Sequence, residues 1–249
     1  MLGSVLYMGD TRLDDAAAYL AALMTHWKWE FEYIPSDVAA ATELFDRRRA
    51  LFVLSDYPSS RIDPLLQRRM IEQVADGAGL LMCGGWESYH GCGGDWDKTP
   101  DAEILPVEIS STDDRVNCDS PLLVARVSSH PTVDGLPWDE RPPVIGGFNR
   151  LTAKSNATVV LESHQFSAGR DESGFSFDFV RTDPLLICGQ HGRGRTAALA
   201  TDVAPHWVGP LIDWGTPRVV AQASGGNEVE VGGDYARFMR QLLDWAAGA

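Results

Sequence analysis

The residues of this sequence that could carry out chemistry follow three short apolar runs. Asp56 comes directly after the run ALFVLS, and Cys83 is the last residue of the run GLLMC. Asp202 and His206 follow the run TAALAT near the end of the chain. In sheets of parallel strands, ligands collect at the carboxyl ends of the strands. If the three runs are strands of one wound sheet, their ends predict one shared site.

A thiol at a sharp turn after a strand can act as a nucleophile when a nearby histidine lowers its pKa. Cys83 is the candidate nucleophile, and His206 is its first candidate partner, with His90 as the second. Backbone N–H groups near Gly84 or Asp56 could then hold an oxyanion. In a plainer interpretation, Cys83 is the buried end of an apolar strand and the glycines after it only open a loop. Both interpretations stay open at this point.

Metal and nucleotide sites are not expected. The candidate metal ligands are Asp56, His90, Asp202 and His206, but no HxH, HxxxH or HExxH spacing appears. The glycine-rich stretch after Cys83 has neither GxGxxG nor GxxxxGK[ST], so we expect no cofactor.

Tryptophans offer a different kind of site. They either line a pocket for a sugar or another ring, or simply pack a long loop onto the domain. The four candidates are Trp86, Trp96, Trp207 and Trp214. The acidic turn Asp113-Asp114-Arg115 is interpreted as a solvated turn or a local ion pair.

Strand and helix patterns alternate in the first part of the chain and must position these residues. Strands are predicted at 4–8, 31–34, 50–55, 79–83, 122–127, 157–162, 185–188 and 196–201, and helices at 13–27, 64–76 and from 234 onward. A long loop is predicted from 84 to about 111. Strands separated by helices indicate βαβ units and a mainly parallel sheet. We expect one α/β domain over residues 1–249.

The charge of the chain limits its partners. Its 249 residues include 35 acidic and 21 basic side chains, for a formal net charge of −14. This acid excess argues against nucleic acid and against an anionic membrane surface as partners. No apolar run approaches the ~20 residues that span a bilayer, and Asp10 comes too early for a signal peptide. The four cysteines form no CxxC pair, which favours reduced thiols in the cytoplasm.

Eight motifs in this order resemble a family of bacterial cytoplasmic proteins related to glutamine amidotransferases. They are LSDYPSS, GLLMCGGWESYHG, TPDAEILPVEI, DDRV, HPTVDGLPW, GGFNRL, DPLLICGQHGRGR and TDVAPHW. That family is a branch of the class I glutamine amidotransferase-like superfamily, and the chain is more distantly similar to trehalose-utilisation proteins. The resemblance covers most of the chain from about residue 50 onward.

The resemblance implies a flavodoxin-like three-layer sandwich, with Cys83 at the nucleophile position and His206 near the superfamily's histidine. Two departures matter: the elbow lacks its first glycine, and Val208 stands where the orienting glutamate is expected. Asp202 or Asp56 could take over as the third catalytic residue. The substrate-binding candidates are Asp56, Gly84, Gly85, Trp86, Glu87, Tyr89, His90 and Trp207.

Two functional hypotheses follow. In the first, the Cys83 thiolate attacks an amide or acyl carbon while His206 moves the proton and Asp202 orients it. In the second, the chain is a non-catalytic module for a small molecule or carbohydrate that keeps the fold and has lost the triad. A third role, homo-oligomerisation through the exposed tryptophan loops, also stays open.

Overall fold

The computed structural model describes residues 4–172 and 174–248. Its strands are β1 (Val5–Gly9), β2 (Phe31–Ile34), β3 (Leu51–Ser55), β4 (Gly79–Cys83), β5 (Val107–Glu108), β6 (Arg115–Arg126), β7 (Val144–Asn149), β8 (Thr152–Ala153), β9 (Thr158–Asp171), β10 (Gly174–His191), β11 (Gly194–Leu199), β12 (Val219–Gln222) and β13 (Glu228–Val231). Its helices are α1 (Ala18–His26), α2 (Pro64–Ala75), α3 (Asp101–Ile104) and α4 (Gly233–Ala246).

The centre of the protein is a nine-stranded sheet in the order β2-β1-β3-β4-β11-β10-β9-β6-β7. The five strands from β2 to β11 pair in parallel. Every residue of β1, β3 and β4 is buried, which explains why these strands are continuous apolar runs. The predicted α/β architecture with a parallel core is confirmed.

The other half of the sheet is antiparallel, so the sheet is mixed rather than mainly parallel as expected. All four pairings from β11 to β7 are antiparallel. The connections explain the difference, because Gly192 and Arg193 alone join β10 to β11. A two-residue turn can only reverse the chain, whereas a parallel pair needs a long crossover.

The stretch predicted as a loop from 84 to 111 contains structure of its own. It includes the short helix α3 and the short strand β5. Tyr89 and Trp96 within it are fully buried. The Trp96 indole donates a hydrogen bond of 2.9 Å to the carbonyl of Tyr57. The sequence pattern missed these elements because they are too short to show a period.

Helix α2 begins and packs as its sequence predicts. The Asp63 carboxylate accepts a 2.8 Å hydrogen bond from the Leu65 N–H, and Pro64 occupies the first turn. The buried side of the helix includes Leu66, Met70 and Val74. No helix in the described residues is long and apolar enough to cross a membrane.

The cap of α2 can be tested by mutation. We expect Asp63→Ala to lower the free energy of unfolding by about 1 kcal/mol, because the Leu65 N–H loses its partner. Asp63→Asn, which keeps an acceptor oxygen, should cost less. Urea denaturation measures both, with the exposed Glu72→Ala in the same helix as control. An equal loss in Asp63→Ala and Glu72→Ala would contradict the capping role.

Candidate functional site at the carboxyl ends of the parallel strands

The register of the parallel strands brings their carboxyl ends to one edge of the sheet. Gly9 pairs with Ser55, Ser55 pairs with Cys83, and Cys83 pairs with Leu199. The residues after these strands therefore converge, and the aspartates among them act electrostatically on one another and on Cys83. These aspartates are Asp10, Asp56 and Asp202. Asp10 was missed in the sequence, although it follows β1 in the way that Asp56 follows β3.

The Cys83 thiol lies inside this cluster and is inaccessible. Its side chain is 0% exposed. Burial raises the pKa of the Cys83 thiol well above its usual value, and the carboxylates of Asp10 and Asp202 raise it further. Both effects disfavour the thiolate, because a buried anion loses its hydration and is repelled by neighbouring anions. A nucleophilic cysteine needs the opposite environment.

A hydrogen bond from Ser55 favours the Cys83 thiolate, but this effect is limited. The Ser55 hydroxyl donates its single hydrogen to an Asp10 carboxylate oxygen at 2.9 Å. The other Asp10 oxygen accepts a hydrogen bond from the buried Tyr7 hydroxyl. Asp10 is 2% exposed, and burial raises its pKa well above the usual value. The hydroxyl groups of Tyr7 and Ser55 therefore already donate their hydrogens to Asp10.

His206 faces Asp202. The His206 Nδ1 lies 3.5 Å from an Asp202 carboxylate oxygen, and 70% of its side chain is exposed. The interaction with Asp202 raises the pKa of His206. The other Asp202 oxygen accepts the backbone N–H groups of Val203 and Ala204. In the described residues, no hydrogen bond or ion pair joins His206 to Cys83.

Asp56 is the carboxylate that connects the buried cluster to the surface. It is partly exposed, and one oxygen accepts a 2.8 Å hydrogen bond from the Glu87 N–H. Burial and the charge of Asp202 raise the pKa of Asp56 to about 7. The Asp56 carboxylate packs so closely against Gly85 that no side chain fits there. A Cβ on Gly85 would lie 2.1 Å from an Asp56 oxygen. Asp56 can therefore exchange a proton near neutral pH.

The backbone N–H groups proposed for an oxyanion hole already have acceptors. Gly84 donates to the carbonyls of Leu199 and Thr201 at 2.7 and 3.0 Å. The Asp56 N–H donates to the Ser88 hydroxyl at 2.9 Å. An oxyanion at this place would have to displace an existing hydrogen bond.

Asn149 and Asp114 position the loop after β4, a role that no pattern in the sequence indicated for either residue. Asn149 is fully buried, accepts the Gly85 N–H at 2.9 Å and donates to the Gly85 carbonyl at 3.1 Å. It also donates to Asp114 at 2.7 Å, and Asp114 accepts the N–H groups of His90 and Gly91. Asp114 is 4% exposed, so the interpretation of this aspartate as part of a solvated turn was wrong. The predicted ion pair is confirmed for Asp113 and Arg115, whose carboxylate oxygen and guanidinium nitrogen lie 2.7 Å apart.

The aromatic candidates separate into buried and exposed groups. The Tyr89 hydroxyl donates to the carbonyl of Met82, and the Trp207 indole donates to Asn117. Both are buried and support the loops, so their assignment to ligand contact is not supported. Trp96 and Trp214 are buried as well. Trp86 is 54% exposed, with the Arg115 guanidinium 4.7 Å from its ring centre.

One group of side chains in the described residues has the spacing of metal ligands, and it lies away from the strand ends. His90, Asp95 and Asp97 offer ligand atoms within 4.8 Å of one another. The His90 ring contacts Asp97 at 2.9 Å, and the Lys98 ammonium contacts Asp95 at 3.2 Å. A cation at this place would compete with Lys98 for Asp95. His90 is thus directed to Asp97 rather than to Cys83.

The bridging role of Asn149 predicts a large effect of its removal. We expect Asn149→Ala to lower the free energy of unfolding by about 3 kcal/mol, because the buried Gly85 N–H and Asp114 lose a partner. Urea denaturation measures the change, with the exposed Asn156→Ala as matched control. A change no larger than that of Asn156→Ala would show that water replaces the amide.

The raised pKa of Asp56 predicts a pH dependence of stability. An aspartate in the unfolded chain has a pKa of about 4. Between about pH 4 and 7, Asp56 therefore binds a proton in the folded state that it does not bind in the unfolded state. Its contribution to stability is present below pH 4 and is lost as the pH rises to 7. We expect Asp56→Asn to reduce this fall by about 2 kcal/mol, less than the full shift because Asp56 keeps some solvent contact.

Urea denaturation from pH 4 to 8 measures this effect in the wild type and in Asp56→Asn. The control is Asp14→Asn, whose side chain is 68% exposed. Parallel curves for the wild type and Asp56→Asn would contradict the raised pKa.

Similar structures support the fold. The cytoplasmic protein STM3548 from Salmonella typhimurium is 24% identical, with a TM-score of 0.73 over 97% of this chain and 98% of its own. The cytoplasmic protein STM1381 from the same species is 21% identical, with a TM-score of 0.74 over 98% and 99%. A ThuA-like protein from Parabacteroides merdae is 14% identical, with a TM-score of 0.55 over 99% and 90%. At these identities the likeness concerns the fold alone.

Sequence comparison gives the family. No curated protein sequence matches the chain significantly. A family profile described as "Putative glutamine amidotransferase" matches residues 32–219, which is most of the chain. The chain therefore belongs to this glutamine amidotransferase-like family.

Proposed function

We propose that this chain is a binding module for a neutral, hydroxyl-rich small molecule of the carbohydrate class, and that it does not use Cys83 as a nucleophile. One observation carries the proposal: the thiol is fully buried beside three aspartates, while the exposed His206 faces Asp202 instead. This arrangement stabilises a neutral thiol and leaves other polar groups at the surface.

The accessible groups suit hydroxyl ligands. Asp56 and Glu87 are partly exposed and His206 is exposed, so acceptors and a donor are available on one rim. Trp86 directly precedes Glu87 in the same loop. Its ring is 54% exposed with the Arg115 guanidinium on one face, and it offers its other face to the apolar face of a sugar. The surrounding carboxylates would repel an anionic ligand. A neutral polyol avoids this repulsion and can donate its hydroxyl hydrogens to the carboxylates.

We further propose that the whole chain, residues 1–249, works as one flavodoxin-like domain in the cytoplasm. The parallel strands β2-β1-β3-β4-β11 follow the doubly wound order of that fold class, which supports this assignment. Four free cysteines are compatible with a reducing compartment. Two proteins of similar structure are described as cytoplasmic.

A second candidate is a cysteine-dependent amide hydrolase, as the family description suggests. One geometric observation favours it: Cys83 ends β4 directly beside β11, whose continuation carries Asp202 and His206. The thiol would have to become accessible and lose its proton before it could react. The two candidates therefore differ in what Cys83→Ser does.

The test is a thermal-shift series with neutral sugars, polyols and L-glutamine on the wild type, Cys83→Ser and His206→Ala. We expect a sugar or polyol to raise the Tm of the wild type and of Cys83→Ser, because a ligand that binds only the folded state stabilises it. His206→Ala should weaken ligand binding by at least about tenfold, and so reduce the rise in Tm, because it removes an exposed donor of the proposed site. The exposed His26→Ala is the matched control.

Reactivity of the thiols supplies an independent readout. Iodoacetamide should modify the exposed Cys92 well before Cys83 in the native protein. Equal rates at the two cysteines, or ammonia release from L-glutamine that Cys83→Ser abolishes, would overturn the proposal in favour of the hydrolase. The absence of any shift with every sugar and polyol would also overturn it.

A further inference from the structure

The two longest strands form a hairpin that extends beyond the rest of the sheet. Strand β6 pairs with β9 only from Leu161 to His164, and β11 pairs with β10 only from Leu186 to His191. From Gln165 to Arg181, the described residues of β9 and β10 pair only with each other, with a register shift between Phe179 and Arg181. We call the described residues of this stretch, 165–172 and 174–181, the arm. Seven residues of β9 lie beyond His164, so the arm reaches out by roughly 23 Å at ~3.3 Å per residue.

The arm has an aromatic face. Phe175, Phe177 and Phe179 are 71%, 68% and 65% exposed. The register places Phe177 opposite Ala168 and Phe179 opposite Phe166. Residues directly opposite in an antiparallel pair project from the same face, so the four rings share one side of the arm. The Phe166 and Phe177 rings contact each other edge to face at 5.9 Å.

Arg170 completes this face, and the acidic residues of the two strands lie on the other. Arg170 pairs with Phe175, and its guanidinium lies 5.4 Å from that ring. The opposite face carries Asp178 and, next to the turn, Asp171, together with Ser167 and Ser176, because strand residues alternate between faces. The arm is therefore amphipathic.

Nothing in the described chain covers the aromatic face. Every described residue from 167 to 180 is exposed, and none belongs to the buried core. An isolated two-stranded hairpin is only marginally stable in water. Three phenylalanines that each expose about two thirds of roughly 200 Å² present ~400 Å² of apolar surface, which is as large as the whole apolar patch of a typical monomer.

We propose that the aromatic face of the arm is a dimerisation surface, on which a second copy of this chain packs its own arm about a twofold axis. The exposed apolar area of the aromatic face is of the size that contact with a second copy requires. A standard interface buries about 800 Å² per partner, and the three rings alone supply about half of it. The backbone and flanking side chains of two crossed arms supply more. A twofold contact also places the same face on both copies, so each aromatic face covers the other.

Charge favours this face for contact between copies. A chain with a formal charge of −14 repels a second copy over most of its surface. Among the described paired residues of the arm, Arg170 is the one charged residue on the aromatic face, and its guanidinium already stacks on the Phe175 ring. Two copies can therefore meet there without bringing carboxylates together, and the length of the arm keeps the acidic bodies apart.

Sedimentation velocity of the full chain from 1 to 100 µM tests the proposal. We expect a dimer in the wild type and at least a tenfold weaker dimer in the double variant Phe177→Ser, Phe179→Ser. The control is Val220→Ser, which replaces another hydrophobic residue of similar exposure (52%) on the small sheet of β12 and β13 and should leave the dimer intact. A monomeric wild type over this range, or a dimer that the double variant leaves unchanged, overturns the proposal.

Hydrogen exchange of the wild-type protein locates the dimer contact without the use of a variant. We expect the amides of residues 165–181 to exchange faster at 1 µM than at 100 µM, because dilution frees the arms. Exchange in the arm that is independent of concentration would place any dimer contact elsewhere. Protection of the arm only by added phosphatidylcholine vesicles would replace the second copy by a lipid surface and also overturn the proposal.

Discussion

Repulsion among like charges at a largely buried edge of the sheet determines much of the chemistry of this protein. Parallel pairing in register places Asp10, Asp56 and Asp202 around the end of β4. Burial removes much of the water that would screen their charges, so the pKa of Asp56 rises to about 7 and that of Asp10 rises well above its usual value. The Cys83 thiol lies in the same field and stays protonated. The hydrogen bonds that Tyr7 and Ser55 donate to Asp10, and the contact of His206 with Asp202, belong to the same arrangement of carboxylates.

The family relationship therefore concerns the fold and the position of Cys83, whereas the site geometry concerns whether the Cys83 thiol can react. Membership follows from a match over residues 32–219, and it includes the strand that ends at Cys83. Of the two departures seen in the sequence, the missing first glycine concerns the turn that carries the thiol, and Val208 replaces the carboxylate that would orient the histidine. The geometry adds that the Gly84 N–H already donates to backbone carbonyls and that Val208 is fully buried. A fold can keep the position of a nucleophile after the groups that activate it have changed.

The sequence was sufficient for the parallel half of the sheet and insufficient for the antiparallel half. Strands such as Leu51–Ser55 are continuous apolar runs with buried faces on both sides, and their helices carry clear caps such as Asp63. From these patterns the convergence of Cys83, Asp56 and Asp202 could be predicted. The outer ends of β9 and β10 pack against no core. Only the buried portions of these strands were predicted, although Phe175, Phe177 and Phe179 alternate with polar residues. Asn149 was missed because its partners lie 64 and 35 residues away along the chain.

The link from Asn149 to the loop after β4 also has a consequence for the order in which the chain can mature during synthesis. Gly85 leaves the ribosome long before Asn149, and the polypeptide emerges from its amino end. Until β7 has been translated, the glycine-rich segment lacks the amide that holds both its N–H and its carbonyl. A nascent polypeptide that carries β1 to β4 can therefore form its first parallel pairs while this segment is still untethered. Completion of the site is postponed to the second half of translation, when first β7 and later β11 become available.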